Sequence, residues 1–292
     1  MKHTIYWNEK YTGAEHAFDT TRKSGEIADA IGHEHITDPA SKGHVALHNA
    51  NDEIKKALSA DYYEDLKTGG PKSQSNGFAW DYGIWEMAVN STAGVMSAAG
   101  EAIINKSVAG SLSSGLHHAH HNNGAGFCTV NGLAVTANWL NPLHITILDF
   151  DAHCGGGTVK MLRHLNIASR VEQYDISTNY FDEYEEDETH TIRIARSDAD
   201  YTDAVNETLN KVNLNTELIL YNAGTDPYPT ISHETLAERE NTVFQWATEN
   251  NIPIAYVLAG GYTSAQTMDS LVESHLNTIY AADNAVELVV TR

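Results

Sequence analysis

Three short runs of consecutive apolar residues stand out along the 292-residue chain: 144–150 (HITILDF), 217–221 (ELILY) and 252–258 (IPIAYVL). Their length and their bounding polar residues predict strands buried on both faces. Longer stretches with helical patterning lie around them, at 84–105, 129–140, 198–212 and 233–250. Strand and helix in alternation predict an α/β fold, an open domain with a mostly parallel central sheet flanked by helices. The stretch 67–76 (KTGGPKSQSN) has the composition of a loop. No repeat, low-complexity tract or long linker divides the chain, so residues 1–292 read as a single domain.

In sheets of this kind chemistry gathers at the carboxyl ends of the strands. The first run continues into Asp149-Phe150-Asp151-Ala152-His153, the second into Asn222-Ala223-Gly224-Thr225-Asp226, and the third into Ala259-Gly260-Gly261-Tyr262. Asp151 and His153 are two apart, so strand alternation points both side chains the same way. Asp226, at another strand end, supplies a third ligand. One imidazole and two carboxylates suit zinc or another divalent transition metal, ferrous iron included, and three protein ligands leave a position open for chemistry. The plainer alternative is loop capping by aspartates.

Ahead of the second helix, 115–127 (GLHHAHHNNGAGF) is a glycine-rich loop holding His117, His118, His120 and His121. A buried histidine pair near a metal can keep one neutral base and one charged partner; a solvated loop is the alternative. Tyr262 follows two glycines, where a thin backbone lets a substrate oxygen approach. A core tyrosine would look the same.

Composition narrows the function. Eighteen Lys and Arg stand against 39 Asp and Glu, a net charge of −21. That field repels phosphate backbones and anionic membranes, which argues against nucleic-acid and membrane partners. It suits a cationic substrate, and equally suits solubility alone. Two cysteines, Cys128 and Cys154, are too few for a disulfide framework. The first 13 residues have no apolar signal-type stretch and no run approaches a membrane span, so the expected location is the cytoplasm. Nothing in the sequence fixes an oligomeric state.

Taken in order, Gly115-Leu116-His117-His118-Ala119, Gly126-Phe127-Cys128-Thr129-Val130-Asn131, Asp149-Phe150-Asp151-Ala152-His153, Ala223-Gly224-Thr225-Asp226 and Gly260-Gly261-Tyr262 resemble the motifs of the histone deacetylase superfamily, which includes acetylpolyamine amidohydrolases and acetoin-utilisation-type proteins. The resemblance implies an arginase/deacetylase-like catalytic domain that hydrolyses the amide of an acylated amine, acetyl-lysine or an acetylpolyamine. It implies one zinc per chain on Asp151, His153 and Asp226, with His117 and His118 beside the attacking water and Tyr262 on the substrate carbonyl. Phe127 then forms one wall of the acyl tunnel, with Gly126 and Gly260 beside the substrate. Asp149 backs His117 and helps to hold a structural potassium ion, together with backbone oxygens of Asp151 and His153. Two other readings stay beside this one: a catalytically weak metal-binding regulatory protein, and a hydrolase of an ester or thioester. A two-metal ureohydrolase would need carboxylates where Gly155 and Gly224 stand.

The chain departs from the family at Cys154, where many relatives carry a second histidine, and at Gly156, where relatives carry the Asp or Asn behind the second histidine. His118 is therefore expected to lack its usual orienting partner unless a water or a distant residue fills in, and Asn or Asp at 156 to raise activity provided the side chain fits without shifting the ligand loop. Asp81 is the nearest candidate for a rim aspartate. Tyr180, Phe181 and Tyr184 compete for the second tunnel wall.

Overall fold

The computed structural model describes residues 1–14, 19–40 and 47–290. Its strands are β1 (Thr4–Tyr6), β2 (Ile36–Thr37), β3 (Val108–Ser111), β4 (Ile145–Phe150), β5 (Val171–Ser177), β6 (His190–Ile194), β7 (Leu218–Gly224) and β8 (Ile254–Ala259). They form one eight-stranded sheet in the order β2-β1-β3-β8-β7-β4-β5-β6. Every neighbouring pair is parallel. The helices are α1 (Asp19–Ile31), α2 (Leu47–Ala57), α3 (Ala60–Thr68), α4 (Tyr82–Asn105), α5 (Gly132–Trp139), α6 (Gly156–His164), α7 (Asp198–Lys211), α8 (His233–Glu249) and α9 (Met268–Val290). The α/β class expected from the sequence is the class observed.

Strand alternation divides the apolar side chains between two layers. Ile145, Ile147, Leu218, Leu220, Ala255 and Val257 face a core shared with α2 to α6. Leu148, Phe150, Ile219, Tyr221, Ile254 and Tyr256 face the other, shared with α1, α7, α8 and α9. A sheet covered on both sides explains why its central strands read as unbroken apolar runs.

Local chemistry sets the helix starts. Asp81 accepts the Ile84 amide at 3.2 Å and caps α4. Ser197 and Ser232 cap α7 and α8 by accepting from Asp200 and Thr235. Asn131 caps α5 and does more: while its oxygen accepts the Ala134 amide at 3.0 Å, its amide donates to the His117 carbonyl at 3.2 Å and to Thr158 Oγ1 at 2.9 Å. One residue thus ties the histidine loop to the starts of α5 and α6.

A buried ion pair braces the sheet end that carries the site. Arg239 donates to the Phe150 carbonyl at 3.0 Å and to the Tyr201 hydroxyl at 2.9 Å, and pairs with Glu240. Tyr221 donates to Glu240 at 2.8 Å. The carbonyl that closes β4 therefore has a fixed partner.

The expected strands and helices are present, with ends shifted by up to three residues. Strand β7 runs on to Gly224, and α5 starts at Gly132 because Asn131 caps there. The stretch 67–76 holds the end of α3 and a short 3-10 turn, Pro71–Gln74. Among the described residues no helix is long and apolar enough to cross a membrane.

Close packing within the sheet yields a test. A Cβ on Gly110 in β3 would lie 2.1 Å from the ring of Tyr256 in β8, its pairing partner. Gly110→Ala is expected to lower stability by about 1–3 kcal/mol, as overpacked cores do. Urea unfolding checks this; an unchanged midpoint would show that Tyr256 yields freely.

Candidate metal and catalytic site

The carboxyl ends of β4, β7 and β8 meet at the middle of the sheet, and the expected residues converge there. Asp151 and His153 follow β4, Asp226 follows β7, and Tyr262 follows β8. Together with Ser114, Leu116, His117, His118, Gly126, Phe127, Cys128 and Gly260 they line one cavity. One ligand atom from each of Asp151, His153 and Asp226 lies within 4.8 Å of the others. His153 Nδ1 is 3.1 Å from Asp151 Oδ1 and 3.3 Å from Asp226 Oδ2.

The donor set fits a cation. Asp226 Oδ1 accepts the Ala152 amide at 3.0 Å, whereas its buried Oδ2 has His153 Nδ1 at 3.3 Å without the geometry of a good hydrogen bond. Burial and the neighbouring Asp151 push the Asp226 carboxyl up, whereas Asp151 is held low despite its burial by His117 and His153. Two carboxylates so placed, with an imidazole between them, form a set that a divalent ion would complete.

The histidine pair lies beside this set, with ring centroids 4.0 Å apart. His117 Nδ1 is 2.8 Å from Asp149 Oδ2, and Asp149 Oδ1 accepts from Asn222 at 2.7 Å. Burial disfavours a charge on His117, but Asp149 and Asp151 outweigh it and raise the ring to about 10. His118 goes the other way. Burial and the neighbouring His117 lower it to about 4, against the pull of its own carboxylate partner. The surroundings therefore push the two rings in opposite directions, His117 toward the charged form and His118 toward the neutral one.

That partner of His118 corrects the sequence reading. His118 Nδ1 lies 2.9 Å from Asp182 Oδ2, a carboxylate 64 residues away on the segment after β5. Gly156 is not a missing partner. A Cβ there would lie 2.1 Å from the Asp182 carbonyl oxygen and 2.6 Å from Asp182 Oδ1. The condition for a gain from Asn or Asp at 156 is therefore not met, because either side chain would collide with the group beside His118.

Other assignments resolve as follows. Phe181 is the aromatic against the site, with its ring 5.0 Å from His118 and 5.5 Å from His153. Tyr184 is buried and donates to the Thr191 carbonyl, and Tyr180 is exposed. Phe127 stands half exposed at the mouth, on a left-handed backbone with φ of 64° beside Gly126 at 50°, and packs on Phe78. Asp81 serves as the α4 cap. His121 stacks on His164 at 3.8 Å and does not line the cavity. Cys154 is fully buried, its thiol pushed up to about 12 mainly by burial, as a packed apolar residue would be.

Two residues carried no recognisable signal in the sequence. Asp182 sits in an acidic run, DEYEEDE, where no spacing marks it out. Lys23, on α1, is buried and donates to the Gly260 carbonyl. Burial lowers its ammonium to about 7, against the attraction of Asp226 and Asp151. It lies behind the glycines that carry Tyr262.

Three comparisons with known proteins agree. Histone deacetylase 2 of Arabidopsis thaliana is 27% identical over 181 residues, covering 56% of this chain and 47% of that protein. A probable deacetylase of Archaeoglobus fulgidus is 37% identical over 82 residues, 26% of this chain and 23% of that one. The chain thus spans less than half the length of either relative. The crystal structure of an acetylpolyamine aminohydrolase from Burkholderia pseudomallei shares the fold, with a TM-score of 0.72 at 15% identity over 96% of this chain and 98% of that one. The histone deacetylase domain matches residues 27–279, and the chain belongs to that family.

Proposed function

We propose that this protein is a metal-dependent deacylase that hydrolyses the amide of an acylated amine. One observation carries the reading: Asp151, His153, Asp226, the unequal pair His117 and His118, and Tyr262 all open into a single cavity. Asp151, His153 and Asp226 would hold one zinc or ferrous ion per chain. Such an ion polarises a carbonyl and makes water a nucleophile near neutral pH.

The protein side chains divide the remaining work. His118, the neutral ring, takes the proton from the attacking water and returns it to the leaving amine. His117, kept charged by Asp149, stays protonated and favours negative charge forming beside it. The Tyr262 hydroxyl is kept protonated, mainly by burial and then by Asp226 and Asp151, so it donates to the developing oxyanion rather than ionising. Phe127 and Phe181 flank the entrance as apolar walls for the acyl-bearing chain, and Gly126 and Gly260 leave room for it. Atoms balance as amide plus water to free amine plus carboxylic acid.

The surplus of acidic residues favours a cationic amine as the substrate, and the Burkholderia neighbour is named for an acetylpolyamine. A potassium ion beneath the site is part of the same reading. Asp149 and Asp175 are both buried there, and burial and Asp149 push the Asp175 carboxyl well above its usual range. A monovalent cation on Asp149 and nearby backbone oxygens would relieve that strain. A weakly catalytic regulatory protein loses its main support, since His118 does have a carboxylate partner.

Two results are expected. Purified protein carries about one divalent transition metal per chain, and Asp226→Ala loses most of it in elemental analysis; full retention would remove Asp226 from the ligand set, and two metals per chain would favour a ureohydrolase. Tyr262→Phe keeps fold and metal but lowers kcat by about 100- to 1,000-fold on an acylated amine, the usual cost of an oxyanion donor. A kcat within about threefold of the unmodified protein would take that role from Tyr262.

A further inference from the structure

We propose that Asp182 is the positioning residue for His118, fixing its ring with the proton on Nδ1, and that Gly156 is glycine to make room for it. The inference rests on the deacylase reading for its kinetic consequence and on geometry for everything else. Asp182 Oδ2 is within 2.9 Å of two donors, His118 Nδ1 and the Gly157 amide, while Oδ1 accepts from Lys160 at 3.1 Å. A carboxylate with three donors around it has little freedom to rotate. Its only use toward His118 is as an acceptor, so Nδ1 must carry the hydrogen, leaving the Nε2 lone pair as the ring's proton acceptor.

The segment that brings Asp182 there is itself pinned to the metal-ligand loop. The amides of Thr178 and Asn179 both donate to the Ala152 carbonyl, and the Asn179 side chain adds a third bond to it at 2.9 Å. Asn179 Oδ1 accepts the Phe181 amide at 2.9 Å, and the Phe181 carbonyl accepts the Cys154 amide at 2.9 Å. Residues 179–182 therefore move with Ala152 and Cys154, on either side of His153. At Asp182 the backbone turns left-handed, φ 58°, a conformation that aspartate tolerates better than most residues. The turn brings its main-chain oxygen over Gly156, where any Cβ would collide with it. One turn thus delivers both the aromatic wall, Phe181, and the orienting carboxylate, and it needs glycine at 156.

The competing role is purely structural: Asp182 could serve only to hold the first turn of α6 through Gly157. Two substitutions that suit the left-handed backbone separate the two roles. Asp182→Gly removes the carboxylate with the backbone relaxed, and Asp182→Asn keeps an acceptor for His118. In metal-loaded protein labelled with 15N-histidine, ring correlation spectra should show His118 with its proton on Nδ1. That signature should persist in Asp182→Asn and shift toward Nε2 in Asp182→Gly. On an acylated amine, Asp182→Gly should lower kcat by about 10- to 100-fold with KM little changed, in the range for lost orienting partners, and Asp182→Asn should recover most of it. In a His118→Ala background the same Asp182→Gly change should cost almost nothing further. An unchanged tautomer in folded Asp182→Gly, or an equal loss of kcat with and without His118, would overturn the proposal. If the unmodified protein cleaves no acylated amine, the deacylase reading fails, while the tautomer still decides the role of Asp182.

Discussion

Four carboxylates packed at one end of a sheet, with almost no water around them, are the constraint that shapes this protein. Asp149, Asp151 and Asp175 are buried, and the side chain of Asp226 is nearly so. Removing that much negative charge from water is unfavourable by several kcal/mol per group unless each finds a partner. The surrounding structure supplies those partners from every direction. His117 and Asn222 bracket Asp149, and His153 lies between Asp151 and Asp226. Gln173 donates to Asp175, and the buried Lys23 amine lies near enough to Asp226 and Asp151 to feel their attraction. Even so, the Asp226 carboxyl stays pushed up by burial and by Asp151, a strain that the proposed cation would relieve.

Those carboxylates have to come from central strands, and this is why so much of the site was legible in the sequence. Strands β4, β7 and β8 are covered on both faces, so they read as apolar runs, and each run ends where the layers stop covering it. A polar residue just past such an end is exposed to the site rather than to the core. Asp151, His153, Asp226 and Tyr262 all stand at such places. The other strands gave no such signal. Strand β1 has three residues and β2 two, β3 is built from Val-Ala-Gly-Ser, and β5 carries Glu172, Gln173 and Asp175 within its seven residues. In β5 the polar side chains are Gln173 and Asp175 at the buried charge cluster, so the features that serve the site hide the strand.

Asp182 was beyond reach for a different reason. Its contact with His118 joins positions 64 apart, and neither end carries a pattern that names the other. The family resemblance places the orienting group at Gly156, whereas in this fold the carboxylate beside His118 comes from another segment. Glycine at 156 is informative only once the oxygen that fills its space is known.

The unequal charge of His117 and His118 follows from these placements. Two rings 4.0 Å apart resist both being protonated, so the surroundings must choose between them. His117 faces two carboxylates, with Asp149 at 2.8 Å and Asp151 at 3.5 Å. His118 contacts only Asp182 directly and feels Asp151 from farther off, and Asp182 is shared with Lys160 and the Gly157 amide. Burial leans against a charge on each ring, yet only His117 has enough negative neighbours to overcome it. Moving the second carboxylate onto a segment that also engages Lys160 therefore does more than restore an orienting contact. It keeps His118 the weaker claimant to a proton, as its proposed role toward water requires.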